Sequence, residues 1–550
     1  MKILIDLQGA QATHRKRGIG RYAMSVAQAV VRRRGANEVH LLLNAHYPEA
    51  IDEVRRNFHG LLPRDHIHVW QACPPFDQAR PENDHRRQLA SQIRHAVIGE
   101  IAPDVLLLTS VFEDPHSAAS VTLDPAGPPA AAILYDLIPW VHPQLYLTSP
   151  ESMAWYQDRL HELRKADMLL AISEHTREEA IALLDWPDER VINISADCDE
   201  IFAQSQVLPA RRETWLTRYG LNRPFLMYTG GIDPRKNIER LIKAYAALPA
   251  DVRQAHQLLI VCAISDEDRR RLQHEASTSG LKEDELILTG YVGEAELLAF
   301  YNACKAFVFP SWHEGFGLPV LEAMRCGKAV IASGVTSLPE VVGVSEALFD
   351  PLNEEDIRAR IQWVLCDDVA RERLERGSQS QAQKFNWDDT ADRVIKALER
   401  CLRPTRPLAT QTRPRLACVS PLPPEHSGIS DYTAQLLRVL NRYYDVEVIV
   451  SQSEISDDWL RESFPIRSVA WFEVHSSEYD RVLYHFGNSS FHNHMLALIE
   501  RVPGVVVLHD FYLSGLRSNA LAGKSDRQWR KMLYKEHGYP ALVDDKESLD

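Results

Sequence analysis

The sequence lacks the cysteine patterns that define disulfide scaffolds and zinc fingers. Its eight cysteines contain no Cys-x-x-Cys pair and no metal-finger spacing. Cys262 and Cys326 fall in or beside predicted core elements, where a cysteine behaves as a small hydrophobic residue. We therefore expect buried free thiols in a reducing cytoplasm.

Long hydrophobic runs and an excess of positive charge are also missing. Apolar runs such as Val105–Leu108 and Val505–Leu508 are far too short to span a bilayer. Met1–Asp6 begins at once as a predicted strand, without the layout of a signal peptide. The formal net charge of −14 argues against nonspecific nucleic-acid binding as the main role.

The chain does contain a regular alternation of apolar runs and helical patterns, which predicts an α/β fold with parallel sheets. The runs in the first part are Ile3–Leu7, Val39–Leu43, Val105–Leu108, Ala131–Tyr135, Met168–Ile172 and Val191–Ile194. Those in the second part are Phe225–Tyr228, Leu258–Cys262, Leu286–Leu288, Phe307–Phe309, Ala329–Ala332 and Ala347–Phe349. We place a first Rossmann-like lobe at residues 1–205 and a second at 206–402.

A glycine-containing segment, from Ser311 to Glu322, follows one of these predicted strands. Glu314 is predicted to lie in a loop at the strand's carboxyl end, where open α/β sheets bind ligands. Glu322 is predicted to lie about one turn into the next helix. The backbone N–H groups that would suit an anion at the helix N-terminus belong to Gly315, Phe316, Gly317 and Leu318. The alternative is a surface loop with two solvated glutamates.

A second segment brings positive charge to the same edge of the predicted sheet. Gly230 and Gly231 end a strand and allow close backbone approach, and Arg235 and Lys236 follow before a helical pattern. Such an Arg-Lys pair is commonly solvated. Taken with the first segment, however, it supplies cations for a diphosphate beside carboxylates for the flanking sugars.

The order of these motifs resembles that of the retaining glycosyltransferases of GT-B family 4. The motifs are Gly230-Gly-x-x-Pro-Arg-Lys-Asn, Thr289-Gly-Tyr-Val292 and Glu314-x7-Glu322, with Glu-Gly-Phe-Gly-Leu-Pro inside the last. The resemblance covers about the first 400 residues and implies two Rossmann-like lobes that close on a nucleotide sugar, with a closing helix at Asp389–Leu402 that returns toward the first lobe. It implies that Arg235 and Lys236 hold the diphosphate and that Glu314 meets the donor sugar. Glu322 would take the ribose hydroxyls, and the base would be lined by Tyr291 and Val292.

The first lobe carries a less specific pattern. Gly18 and Gly20 open a helix after the first strand and could let the backbone approach the donor phosphate, although a plain tight turn has the same pattern. Asp136 follows a core strand and is our fourth candidate catalytic residue beside Glu314, Arg235 and Lys236; its alternative role is a strand cap. Many relatives have His-Asp at this point, whereas Tyr135 stands here in place of the histidine.

Two further features of the first lobe have a structural alternative. Ser173, at a strand end, is either a cleft residue or a helix N-cap. The basic cluster His14–Arg17 could meet an anionic acceptor such as a lipid diphosphate, or it could be a solvated loop.

The sequence then repeats part of its first-lobe pattern after a proline-containing linker at residues 403–415. Gly428–Tyr432 echoes Gly18–Tyr22, and His509-Asp510 echoes Tyr135-Asp136. No second copy of the glycine-rich Glu-x7-Glu segment or of the Arg-Lys loop follows. We therefore interpret residues 416–550 as the first lobe of a second, truncated glycosyltransferase unit, that is, a third, partial Rossmann-like lobe; the alternative is an accessory α/β module.

The resemblance implies a retaining transferase, most similar to mannosyltransferases of bacterial surface-polysaccharide assembly, with GDP-mannose as donor and a glycan or lipid-linked glycan as acceptor. No Asp-x-Asp motif suited to a nucleotide-sugar metal site is found, so we expect no metal requirement and no cofactor. We expect a cytoplasmic protein with peripheral association at the inner face of the membrane, and no nucleic-acid partner. Two other classes stay open: another nucleotide-sugar enzyme, such as an epimerase or a sucrose-type synthase, and a non-catalytic glycan-binding scaffold.

Overall fold

The computed structural model describes residues 1–12, 15, 18–203, 209–402, 413–441, 443–510 and 513. The chain divides into two compact units, Met1–Thr405 and Arg406–Asp550. The predicted lobe boundary at 205/206 and most of the predicted linker at 403–415 lie outside the described residues. The domain limits stay a prediction.

The first lobe is built on a seven-stranded parallel sheet. Its strands are β1 (Lys2–Asp6), β2 (Glu38–Asn44), β3 (Ile67–Trp70), β4 (Val105–Leu108), β5 (Ala130–Leu134), β6 (Met168–Ala171) and β7 (Val191–Asn193). They lie in the order β3-β2-β1-β4-β5-β6-β7. Its helices are α1 (Gly18–Arg33), α2 (Pro48–Asn57), α3 (Asp84–Ile101), α4 (Ile138–Val141), α5 (Pro143–Tyr146), α6 (Pro150–Leu163) and α7 (Glu174–Leu184).

The second lobe has a six-stranded parallel sheet. Its strands are β8 (Phe225–Thr229), β9 (Gln257–Val261), β10 (Leu286–Leu288), β11 (Ala306–Phe309), β12 (Ala329–Ser333) and β13 (Leu348–Phe349), in the order β10-β9-β8-β11-β12-β13. Its helices are α8 (Pro209–Arg218), α9 (Ile238–Ala246), α10 (Ala250–Ala255), α11 (Asp266–Thr278), α12 (Glu294–Ala303), α13 (Leu318–Arg325), α14 (Leu338–Val342), α15 (Glu354–Cys366), α16 (Asp368–Ala382) and α17 (Trp387–Leu402).

The central strands form because short apolar runs are buried on both faces by helices, as parallel sheets require. Every residue of β4, β8 and β11 is buried. All twelve strands predicted for the two lobes are present, with ends that differ by at most one residue. Strand β3 was missed, because it is a short edge strand in which only Trp70 is buried.

Helix α17 connects the second lobe back to the first, as the sequence predicts. Its Asp392 pairs with Arg33 of α1 at 2.7 Å, and Trp387 donates its ring N–H to the Cys198 carbonyl at 3.2 Å. Because α17 begins in the second lobe and packs on α1, it limits how far the lobes can move apart.

The second unit contains a five-stranded parallel sheet of its own. The strands are β14 (Arg415–Val419), β15 (Asp445–Val450), β16 (Ile466–Ser468), β17 (Arg481–Phe486) and β18 (Val505–Leu508), in the order β16-β15-β14-β17-β18. The helices are α18 (Gly428–Leu440), α19 (Asp458–Ser463), α20 (Val469–His475) and α21 (Asn493–Arg501). This strand order is that of the first five strands of the first lobe, so the fold class of three Rossmann-like lobes is confirmed.

Candidate active site

The centre of the site is Glu314, in the loop between β11 and α13. Its Oε1 atom lies 2.6 Å from Lys236 Nζ and 2.9 Å from Arg235 Nη1, and it accepts a hydrogen bond from the Ser311 hydroxyl at 2.5 Å. The two cations lie in a short 3-10 turn after β8. Since β8 and β11 are neighbours in the sheet, the two loops meet at the same edge.

Burial strengthens the electrostatic interactions among these three charged groups. Glu314 and Lys236 are each only 7% exposed. Burial alone would raise the pKa of Glu314, but the adjacent Lys236 and Arg235 charges outweigh it and lower that pKa to about 2. Burial lowers the pKa of Lys236 against the attraction of Glu314. We therefore assign an ionised carboxylate and two cations that neutralise it.

Arg235 has further partners that fix its direction. Its guanidinium donates to the His313 carbonyl at 2.9 Å and lies 3.2 Å from Asp233. Asp233 in turn accepts a hydrogen bond from the Tyr146 hydroxyl of the first lobe at 2.9 Å. The sequence predicts that these two cations face a ligand. The structure shows that they also pair with carboxylates of the protein.

The loop that follows Glu314 approaches the first lobe closely. A Cβ atom added to Gly315 would lie 2.2 Å from the Tyr135 carbonyl oxygen and 3.1 Å from Asp136 Cβ. Thr176 of the first lobe donates its hydroxyl to the Gly315 carbonyl at 3.2 Å. Only glycine fits at this contact, and it places the Glu314 loop beside Asp136.

Asp136 shows features of both of its predicted roles. Its carboxylate accepts the Ile138 backbone N–H at 3.1 Å, which is the geometry of a strand cap. Burial raises the pKa of Asp136, and the Arg235 charge opposes that rise. Asp136 is thus a strand cap that also lies within the electrostatic reach of Arg235.

The remaining loop residues differ in what they offer to a ligand. Phe316 is buried and packs edge-on against Phe385, so its side chain belongs to the core. Gly317 has φ +101°, and an added Cβ would lie 2.6 Å from a Leu338 methyl group. Helix α13 begins at Leu318.

Glu322 lies one turn into α13, as predicted, and is hydrogen-bonded. The Tyr301 hydroxyl donates to its Oε2 atom at 2.7 Å. Burial raises the pKa of Glu322 to about 7, although the Tyr301 hydrogen bond opposes this. The carboxyl group can therefore change its protonation state near neutral pH.

The candidate glycines contribute in different ways. Gly20 is buried, and an added Cβ would lie 2.4 Å from the Arg15 backbone, whereas one on Gly18 would meet nothing within 4 Å. At Gly230 it would lie 2.9 Å from the Tyr228 hydroxyl, and at Gly231 3.3 Å from an Asp233 carboxylate oxygen. Gly20 and Gly230 thus have a steric reason to be glycine.

The other sequence-predicted residues lie at the edges of the site or outside the described chain. Tyr291 is 83% exposed, while Val292 packs against the core. Ser173 is the N-cap of α7, because its hydroxyl accepts the Thr176 N–H. Of the basic cluster His14–Arg17, only Arg15 is described, and it pairs with Glu49 at 3.2 Å.

Sequence reasoning missed a group of histidines where the lobes meet. His313, beside Glu314, lies 3.0 Å from His142 Nε2 through its Nδ1 atom and 3.2 Å from Glu179 through its Nε2 atom. His175 lies 3.3 Å from the same Glu179 oxygen. The available signal was the four-residue spacing of His175 and Glu179 on a predicted helix.

The second unit repeats part of the first-lobe pattern with different chemistry. His485 Nδ1 lies 2.9 Å from His509 Nε2, and Asp510 accepts the Asn488 backbone N–H at 2.7 Å. Burial lowers the pKa of His485 to about 4. The unit therefore has an imidazole where the first lobe has Tyr135.

The site geometry and the similarity to known proteins together define the class of protein. Residues 212–381 match the family Glycosyl transferases group 1, so the chain carries a glycosyl transferase group 1 domain. The fold of the two lobes is GT-B. The structure of Anabaena Alr3699/HepE in complex with UDP and glucose aligns with a TM-score of 0.53 at 17% identity, over 73% of this chain and 100% of that one. WaaG, a glycosyltransferase involved in lipopolysaccharide biosynthesis, aligns with a TM-score of 0.50 at 14% identity, over 72% and 99%.

More specific relatives are found by sequence. The chain is homologous to the serotype-specific mannosyltransferase WbdA of Escherichia coli, with 36% identity over 406 residues, which is 73% of this chain and 48% of WbdA. O-antigen chain mannosyltransferase B of E. coli is 34% identical over 253 residues, 45% of this chain and 65% of the relative. The chain thus spans about half the length of WbdA. The predicted family resemblance is confirmed.

Throughout the described ranges, no helix combines the length and the hydrophobicity that a membrane crossing needs.

Proposed function

We propose that residues 1–402 form a retaining mannosyltransferase that transfers mannose from GDP-mannose to a growing glycan of a bacterial surface polysaccharide. The observation that carries this proposal is the convergence of Arg235 and Lys236 on Glu314 at the carboxyl edge of the second-lobe sheet. The choice of mannose rests on the similarity to WbdA and to O-antigen chain mannosyltransferase B. We place the reaction in the cytoplasm, at the inner face of the membrane.

In this proposal, each group has a role set by its charge. Arg235 and Lys236 hold the donor diphosphate, and the backbone N–H groups of residues 315–318 at the start of α13 face the same phosphates. Glu314, ionised at neutral pH, accepts hydrogen bonds from the donor sugar. Glu322 accepts the ribose hydroxyls, and the base lies near Tyr291.

Transfer with retention then needs stabilisation of the departing nucleoside diphosphate. Negative charge grows on the leaving phosphate, which takes the proton of the incoming acceptor hydroxyl on the same face of the sugar. The two cations and the helix N-terminus stabilise this charge without a metal. Activity should survive EDTA treatment; full loss that Mg²⁺ or Mn²⁺ restores would contradict this mechanism.

The test is a donor screen with product analysis. Purified chain is incubated with GDP-mannose, GDP-fucose, UDP-glucose or UDP-galactose and with a mannose-terminated oligosaccharide acceptor, and products are separated by chromatography and mass spectrometry. We expect a mannosylated acceptor only in the reaction in which GDP-mannose is the donor. An isomerised donor would indicate an epimerase, and transfer to fructose would indicate a sucrose-type synthase. Donor binding without turnover in any arm would indicate a scaffold and would overturn the proposal.

A further inference from the structure

The group of His175, Glu179 and His313, here called the interlobe cluster, is not used by the proposed reaction. His175 and Glu179 lie four residues apart on one face of α7 in the first lobe, and His313 comes from the β11–α13 loop of the second lobe. His175 Nε2 and His313 Nε2 lie 3.3 Å and 3.2 Å from the same Glu179 oxygen. One potential ligand atom from each of the three residues lies within 4.8 Å of the others.

The two distances to the Glu179 oxygen fit a shared cation. Two nitrogen or oxygen ligands bound to one tetrahedral Zn²⁺ at about 2.0–2.1 Å are separated by about 3.3 Å. Two imidazoles and one carboxylate are a common donor set for zinc. A helix that presents ligands at positions i and i+4 places both on one face.

The hydrogen bonds within the cluster are incomplete. Among the described residues, His175 Nε2, His313 Nε2 and Glu179 Oε2 are buried atoms with no hydrogen-bond partner of acceptable geometry. His313 is itself only 4% exposed. Buried polar atoms are rarely left in this condition, and one ion bound by Glu179 Oε1 would give the two unpartnered histidine Nε2 atoms a ligand.

A fourth residue orients the most buried ligand. His313 Nδ1 lies 3.0 Å from His142 Nε2. If Nδ1 of His313 carries the proton and donates to His142, the Nε2 lone pair of His313 points into the cluster. Metal-binding histidines are held in this way by a hydrogen bond from their second nitrogen.

We propose that His175, Glu179 and His313 form a Zn²⁺ site that joins the two lobes, with His142 as a positioning residue. The ion binds outside the diphosphate site, so it is distinct from a donor-sugar metal. It is coupled to that site through the backbone, because Arg235 donates to the His313 carbonyl. Zinc binding therefore stabilises the contact between the lobes in which the Glu314 loop meets the first lobe.

The described residues contain one competing group, which supplies the matched control. Glu38, His40 and His66 also lie close together, but Glu38 is exposed and His40 Nε2 is already 2.8 Å from its carboxylate. Replacing His40 removes a histidine from that group and leaves the interlobe cluster intact.

The experiment measures Zn²⁺ binding to the full chain after dialysis against EDTA. Competition with a chromophoric zinc indicator gives stoichiometry and affinity for wild type, His313→Gln, Glu179→Gln, His142→Gln and His40→Gln. We expect one tight site that is weakened by more than about 100-fold in the two ligand variants and by about 10–100-fold in His142→Gln. The His40→Gln variant should bind as wild type does.

Thermal unfolding with and without Zn²⁺ provides the second readout. Ligand that binds only the folded state raises its melting temperature, so wild type and His40→Gln should gain stability with Zn²⁺ and the two ligand variants should not. Two ligand variants are used so that a folding defect in one does not decide the result. No tight zinc binding to wild type, or binding lost in His40→Gln and kept in Glu179→Gln, would overturn the proposal.

Discussion

The buried contact between Glu314 and Lys236 can be tested by removing its charges one at a time. Glu314→Gln preserves the size of the side chain but leaves Lys236 without its anionic partner at 2.6 Å, while Arg235 keeps Asp233 at 3.2 Å. Removing one partner of a buried ion pair typically costs about 3–5 kcal/mol. We expect the low end, about 3 kcal/mol, because only Lys236 is left unpaired.

The matched double variant removes both charges. Glu314→Gln combined with Lys236→Met leaves neither charge buried, and replacing a buried ion pair by uncharged groups is often close to neutral. We therefore expect the double variant to recover most of the lost stability. Glu294→Gln serves as control, since Glu294 pairs with Arg21 in an exposed ion pair and should change stability by less than about 1 kcal/mol.

The assay combines unfolding with turnover of the same four proteins. Thermal or urea unfolding should rank the single variant below the double variant. Transfer should fall by about 100-fold or more in both, by analogy with the loss of other groups that stabilise a transition state. A Glu314→Gln protein as stable as wild type would refute the buried pair, and near-normal transfer by it would remove Glu314 from the donor site.

Four further predictions concern the donor site and the domain organisation. Since burial raises the folded-state pKa of Glu322 to about 7, wild type should lose up to about 3 kcal/mol of stability relative to Glu322→Gln as pH rises from about 4.5 through 7; melting curves at pH 5 and pH 8 would show this, and a constant difference would contradict it. Glu322→Ala should mainly raise the KM for the donor, which initial rates measure, and a fall in kcat alone would count against ribose binding. Arg235→Ala and Lys236→Ala should each weaken nucleoside diphosphate binding; calorimetry with GDP and UDP measures this, and unchanged affinity in both would move the phosphate site elsewhere. Residues 1–402 alone should fold and bind GDP, whereas 416–550 alone should bind no nucleotide sugar; scanning calorimetry with nucleotide would expose the opposite result.

The fold and the sheet edge that carries the candidate site could be predicted from the sequence for one physical reason. Apolar runs separated by helical patterns predict parallel strands, and parallel strands deliver their carboxyl ends to one edge. The positions of Gly231 and Glu314 at this edge were therefore predicted from the local sequence pattern alone. The neighbouring placement of β8 and β11, which makes Lys236 touch Glu314, comes from the sheet order and was only implied by the family resemblance.

The parts that were missed depend on contacts between distant segments. Nothing in the local sequence around His142 or His313 indicates that the two imidazoles meet, because that contact is set by how the lobes pack. The protein partners of Arg235 were missed for the same reason.

The glycine at position 315 has a consequence for how this molecule could be manipulated. Its backbone does not have a positive φ, so alanine would be acceptable to the second lobe by itself. The obstacles are the Tyr135 carbonyl and, less severely, the Asp136 Cβ atom, and both belong to the first lobe. A Gly315→Ala substitution would thus hold the two lobes apart while leaving each lobe intact. Comparing it with wild type would separate the free energy of lobe closure from the free energy of folding each lobe.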